Sequence, residues 1–457
     1  MIIQELARNV LNTEFDAFDE ETVEQAKLRV IDIMGCAIGG AKAPGCQELL
    51  ELIRGWGGRG EATVLVHGGK VPAHLAAWIN SIMARSFDFG VLAPYIDGKP
   101  VWAHIAETTV PVAVTMAEAR GAGGRDLLAA LIVGDDLTAR LTAASAYSPA
   151  VSWDSPGIVN KFGATAIAGR LLDLSEEQLI HAFGIVLNML AGSFQTIQDT
   201  SHSFKLAQGL AARDGVVSAE LAAKGWTAGK DAFFGKYGYF QIYCESSHPE
   251  YLTKDLGKKF YGDITFKPYP SCRFTHSAID CALELASKYS IAAEDVEEIV
   301  INVAPMHYNS PLNQPFEIKE FMHGSAIFSL RYTTASALLR KSVRLEHYTK
   351  EMILAPDVLA LVGKAEVKGE LPPDQIEAAE VSVRMKDGRI FTARKEKPKG
   401  NPLTEPLSRE EILQKFRDNA AFSRSLSREN TEKALDLLLH LEEAEDITNL
   451  VRWVTCG

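Results

Sequence analysis

An acid and an imidazole interrupt a helical stretch of this 457-residue chain. Asp88 and His104 are separated by a segment carrying Pro94, Asp97, Gly98 and Pro100, with an apolar helical pattern before it and an Ala-rich one after it. Imidazole titrates near neutral pH, so such a pair is suited to moving a proton, with the carboxylate orienting the ring. Further ionisable side chains stand at helix starts and turns: Asp154, His202, Lys205, Lys267, Arg273, His276, His323 and Tyr332. Each taken alone reads as a capping or solvated residue. Many of them have Gly, Pro and aromatic neighbours instead of plain amphipathic helix, and such loops carry function more often.

Other chemistries find less support. The Gly-rich "GAGGRD" at 121–126 follows a helix, whereas a dinucleotide fingerprint follows a strand. Walker A, HExxH and GxSxG motifs are absent. His104 and Glu107 share one helical face, which is two metal ligands at most, and no metal is expected. Cys272 and His276 are close in sequence, which does not make a thiolate pair. The six cysteines include no CxxC and read as reduced.

The acidic balance, 59 Asp and Glu against 47 Lys and Arg for a net charge of -12, argues against nucleic acid or a membrane surface as partner. It leaves room for an anionic substrate, because a local basic cluster outweighs the global sign at short range. The N-terminal segment has Glu5 and Asp16 and no long apolar run, so neither a signal peptide nor a membrane span is expected, and a cytoplasmic location is.

Helices must position most of these groups. Residues 19–43 place Val23, Ala26, Val30, Ile33, Met34 and Ala37 on one face, with Thr22 as candidate N-cap. Ser175 with Gln178 reads as a capping box. The character changes near residue 262. Residues 263–289 read as a short strand, a Pro-rich turn and a helix; 296–305 as a half-buried strand; 324–341 as a helix; 378–395 as a hairpin about Asp387-Gly388. Helix returns after the basic connector 394–402. The fold class is therefore mostly α: a large helical-bundle domain, 1–262, an inserted smaller α+β lid domain, 263–405, and C-terminal helices, 406–457, returning to the first.

Six segments, in order, resemble the MmgE/PrpD family: "NSIMARSFDF", "AHIAETTVPVAVTMAEARGAGGRDLLAALIVGDDLTARL", "WDSPGIVNKFGATAIAGRLLDL", "SFKLAQGLAARDGVVSAELAAKGWTAG", "FKPYPSCRFTHSAIDCALEL" and "AIFSLRYTTASAL". The family includes 2-methylcitrate dehydratases, cis-aconitate decarboxylases and an iminodisuccinate epimerase. The resemblance implies a site between the helical and α+β parts, no cofactor, and a homodimer. Its functional positions fall on Asp88, His104, Lys205, Lys267 and Tyr332. Two departures stand out: the family's Asp-Phe-Asp-Asp turn reads "DFGV", and Asp154 replaces the family's second histidine.

With these positions, Lys205, Lys267 and Arg273 are the expected carboxylate binders. His104 is the acid/base, Asp88 its orienter, Tyr332 a donor and Asp154 a second proton-transfer group, with His202 and His276 nearby as binding candidates. The function expected first is a cofactor-independent lyase of hydratase/dehydratase type, acting on a 2-methylcitrate- or aconitate-like di- or tricarboxylic acid. Epimerisation of an iminodisuccinate-like diacid and cis-aconitate-type decarboxylation are the enzymatic alternatives. A non-catalytic carboxylate-binding scaffold is the alternative of another class.

Overall fold

The computed structural model describes residues 1–146 and 153–455, and the fold is mostly α. Helix Glu20–Gly40 runs through the middle of the helical part, against Ala73–Arg85, Ala106–Arg120 and Arg409–Ser423. Its N-cap is Asp19, not Thr22: the Asp19 carboxylate accepts the Thr22 N–H at 2.8 Å. An ionised acceptor at the positive end of the helix is the stronger cap. From Ala26 onward the helix is buried on nearly every face, beyond the apolar stripe read from its spacing. The charges this buries are matched, Arg29 with Asp135 at 2.9 Å and Asp32 with Lys415 at 2.7 Å.

Helix Leu206–Ala223 packs on Asn160–Leu171 and on Ala73–Arg85. Small residues set how closely the helices cross. At Gly163 a Cβ would overlap Thr138 Oγ1, and at Gly40 it would overlap the Met83 carbonyl oxygen. Gly40→Ala is expected to destabilise the protein by about 1–3 kcal/mol or more, as overpacking does when backbone must shift. Denaturant titration reads this, and a variant within about 0.5 kcal/mol of wild type would show that the crossing is looser than described.

The α+β part holds a four-stranded sheet in the order Ile390–Lys395, Ala379–Met385, Val296–Val303, Ala365–Lys368. The first three strands are antiparallel, and Val296–Val303 pairs in parallel with Ala365–Lys368. Helix His276–Lys288 lies on the Ala379–Met385 and Ile390–Lys395 strands and on helix Leu330–Arg340. The hairpin turns at Gly388, whose φ of +87° suits glycine. Two expectations are corrected. The strand near 263 is a single bridge between Thr265 and Leu92. The helix over 324–341 is two, Met322–Ile327 and Leu330–Arg340, because Ser329 caps the second through the Tyr332 N–H at 3.2 Å. Ala365–Lys368, a strand of four residues, is too short to show a period and is not read from the sequence.

Helix Arg409–Ser423 starts at a Ser408–Glu411 capping box, and Glu176–Val186 starts at the Ser175–Gln178 box expected for it. Among the described residues, no helix is long and apolar enough to cross a membrane.

Candidate active site

Helix Ala73–Arg85 ends one turn before Asp88. Asp88 turns back into the protein with a φ of +49°, a left-handed conformation that Asp tolerates better than most residues. The turn brings the Arg85 guanidinium onto the Asp88 carboxylate. The Thr265–Leu92 bridge then delivers Lys267, whose Nζ donates to Asp88 Oδ1 and to the Asp88 carbonyl, both at 2.7 Å. Both cations are buried, and they hold the Asp88 carboxyl well below the usual carboxylate range although burial pushes it up.

His104 is reached through a two-residue hairpin, Tyr95–Ile96 against Lys99–Pro100, with Asp97 and Gly98 at φ +53° and +73°. Helix Ala106–Arg120 begins two residues after it. The backbone N–H groups of Ile105 and Ala106 donate to Asp263 Oδ2 at 2.8 and 2.9 Å, so a side chain distant in sequence occupies the positive helix end beside His104. Asn160 Nδ2 donates to the His104 carbonyl at 2.7 Å and fixes the backbone.

The imidazole is 21% exposed. Its Nδ1 lies 3.5 Å from Glu107 Oε2 and 3.3 Å from Arg85 Nη1, and its Nε2 3.8 Å from Asp88 Oδ1. Burial and then Arg85 push its pKa below the ordinary histidine value, while Glu107 pushes back.

Asp154 sits before the short turn Ser155–Gly157 and is 9% exposed. No described residue hydrogen-bonds its carboxylate. Burial pushes its pKa up to about 6; Arg85 opposes this and Asp88 and Glu107 add to it. Arg85, Asp88, His104 and Asp154 line one cavity of about 360 Å³.

The other expected residues lie elsewhere or face away. Lys205 is buried, with Nζ donating to the Pro44 carbonyl at 2.6 Å and Phe321 beneath it. Tyr332 is buried, donating to the His347 carbonyl and accepting from Arg340 at 3.2 Å. Arg273 is on the cavity wall, but its guanidinium donates to the Lys399 and Pro398 carbonyls at 2.7 and 3.3 Å and so anchors the 394–402 connector. His276 is buried with Nε2 3.3 Å from the Ser271 carbonyl, and His202 is exposed beside Phe321. His323 Nε2 is 2.9 Å from the Ser86 carbonyl. Cys272 lines the cavity as a thiol, since burial pushes it up to about 11.

Of the other members of the site, Arg85 is not among the residues selected from the sequence, and Glu107 is weighed there only as a metal ligand. The available signal was a charge closing an apolar helix three residues before Asp88, and an acid three residues after His104. Asp88, His104 and Glu107 offer oxygen and nitrogen atoms within 4.8 Å of one another. Arg85 and Lys267 already occupy those carboxylates, so this donor set fits ion pairing and not a divalent cation.

Two family domains match this chain. The MmgE/PrpD N-terminal domain matches residues 4–252, and the MmgE/PrpD C-terminal domain matches residues 269–441. A cis-aconitate decarboxylase of Homo sapiens is 27% identical over 400 residues, covering 83% of this chain and 79% of that protein. A cis-aconitate decarboxylase of Aspergillus terreus is 23% identical over 482 residues, covering 100% of this chain and 96% of that protein. The two domain matches together span most of the sequence, and the chain belongs to the MmgE/PrpD family.

Proposed function

We propose that this chain is a lyase that moves protons at a carbon next to a carboxylate, with His104 as base and Asp154 as acid. The observation that carries the reading is the pair's opposite tuning on one cavity: His104 is pushed towards its neutral form and Asp154 towards its protonated form. Elimination of water needs both groups. Arg85 Nη1 can only donate and lies 3.3 Å from His104 Nδ1, so the neutral ring keeps its lone pair on Nδ1, and that lone pair takes the proton from carbon. The imidazolium so formed lies between Asp88 and Glu107, which stabilise it. Asp154 gives its proton to the departing hydroxyl as the carbon–oxygen bond breaks. Arg85, on the cavity wall, is the cation placed to meet charge on the substrate carboxylate. The chain itself supplies every proton-transfer group these steps require.

Loss of CO2 is the second reading, favoured by the names of the relatives. It needs only an acid to protonate the carbon that the carboxylate leaves, a role open to Asp154.

His104→Gln is expected to lose at least roughly a hundredfold in turnover while thermal stability stays close to wild type. A panel of carboxylic acids in deuterated water, followed by NMR, separates the reactions. Loss of water, loss of CO2 and exchange without net reaction mark dehydratase, decarboxylase and epimerase. Near-normal turnover per folded molecule in His104→Gln would discard the proposed base.

A further inference from the structure

The turn that begins at Asp88 reads "DFGV", and its glycine answers to a side chain on another element. Gly90 is buried and its backbone is not left-handed, so conformation does not require glycine there. Space does. A Cβ at Gly90 would lie 2.7 Å from both Cγ and Oε1 of Glu107, and 2.8 Å from Ile33 Cδ1. Glu107 is fully buried in the first turn of helix Ala106–Arg120, where the positive helix end favours an acid. Its carboxylate enters, from that helix, the room a side chain of the turn would take. The next residue, Val91, is buried with its N–H on Asp32 Oδ2 at 2.8 Å.

From this place Glu107 holds two members of the site. Its Oε2 accepts from Arg85 Nη1 at 3.1 Å and stands 3.5 Å from His104 Nδ1. Arg85 Nη1 also donates to Asp88 and lies 3.3 Å from the same ring nitrogen. One guanidinium nitrogen is thus shared by two carboxylates and set against the imidazole. Around the ring, Arg85 from its helix end and Lys267 from the bridge segment bring two positive charges. Asp88 from the turn and Glu107 from the next helix bring two negative ones, with Asp154 on the same cavity wall.

We propose that Glu107 is a positioning residue of this site: it takes the place that a side chain at position 90 would fill, and from there it orients Arg85 and the His104 ring together. Its bearing on turnover rests on the reading of His104 as base; its occupation of the space at Gly90 does not. Without the Glu107 charge, two cations and one carboxylate surround the ring, and that balance disfavours the imidazolium.

The test uses the full chain and no substrate. The His104 ring is titrated by NMR, its signal assigned by its absence from His104→Gln. In Glu107→Gln, which keeps the size of the side chain and loses its charge, the titration is expected to move to lower pH. A midpoint that is unchanged or moves up overturns the proposal. Gly90→Ala alone should lower the folding equilibrium constant roughly tenfold or more, read by denaturant titration, because the methyl group meets Glu107. In a Glu107→Ala background the same change should cost less than about threefold, since the obstacle is gone. An equal cost in both backgrounds overturns the placement. Gly90→Ala/Glu107→Ala also lacks the charge, so it reads the His104 titration if Glu107→Gln does not fold. The ring is followed without turnover, so a failed lyase reading shows in the activity of His104→Gln and a failed role for Glu107 shows here.

Discussion

Asp154→Asn is expected to lose roughly 10²–10⁴-fold in turnover and, in the same protein, to gain stability at pH values above 6. The two effects have one cause. The Asp154 carboxyl is pushed from its ordinary value of 3.8 up to about 6 by burial, with Asp88 and Glu107 adding and Arg85 opposing. Between those values the folded chain holds a proton there that the unfolded chain has released, so this group's contribution to stability falls as pH rises. Above both values the folded protein carries a buried carboxylate with no hydrogen-bond partner among the described residues, at a cost of about 3 kcal/mol by the pKa difference. Asn cannot ionise. The variant should therefore melt higher than wild type at pH 8 and match it below pH 4.

The same ionisation sets the alkaline limb of activity. The acid form of Asp154 is lost as pH rises through about 6, and the base form of His104 is lost as pH falls through its depressed pKa. The kcat/KM profile should be bell-shaped, with its optimum on the acid side of neutrality. Thermal melts and pH–rate profiles on one preparation test this. A variant destabilised at pH 8 with turnover near wild type would make Asp154 a structural residue and remove it from the mechanism.

Lys267→Met should destabilise the fold by about 3–5 kcal/mol, the usual result of removing one partner from a buried ion pair. Lys267 is fully buried, and its Nζ has two acceptors, both on Asp88. The depressed pKa of Asp88 contributes stability that is present above the unfolded value and lost as pH falls through the folded one. Removing Lys267 raises the folded value, so acid unfolding should begin at higher pH. Asp88→Asn placed in the Lys267→Met background should restore part of the loss, with a coupling energy of about 0.5–3 kcal/mol in a double-mutant cycle. Strict additivity of the two changes would mean that the pair is not coupled in solution.

Much of the fold could be read from local pattern. The Ser175–Gln178 box, the hairpin at Gly388 and the strand Val296–Val303 each depend on residues a few positions apart, and each stands where expected. Where expectation failed, a partner outside the local segment or a short side-chain contact prevailed. Ser329 ended one helix by capping the next, and the strand expected near residue 263 is reduced to the Thr265–Leu92 bridge.

The sequence by itself determined that Asp88 and His104 interrupt helices, since a chain with Pro94, Gly98 and Pro100 between them cannot continue in one helix. It also determined the family, because ordered motifs survive without any knowledge of contacts. Only the tertiary structure decided which way the charged side chains turn. Buried cations take the nearest acceptors: Lys267 finds Asp88 across 179 positions, whereas Lys205 finds the Pro44 carbonyl and Arg273 the connector. That choice neutralises the basic groups expected to bind carboxylates and leaves His104 and Asp154 as titratable groups lining the cavity. The physical reason is desolvation, which makes an unpaired buried charge costlier than any particular pairing and which depends on distances that no one-dimensional pattern contains.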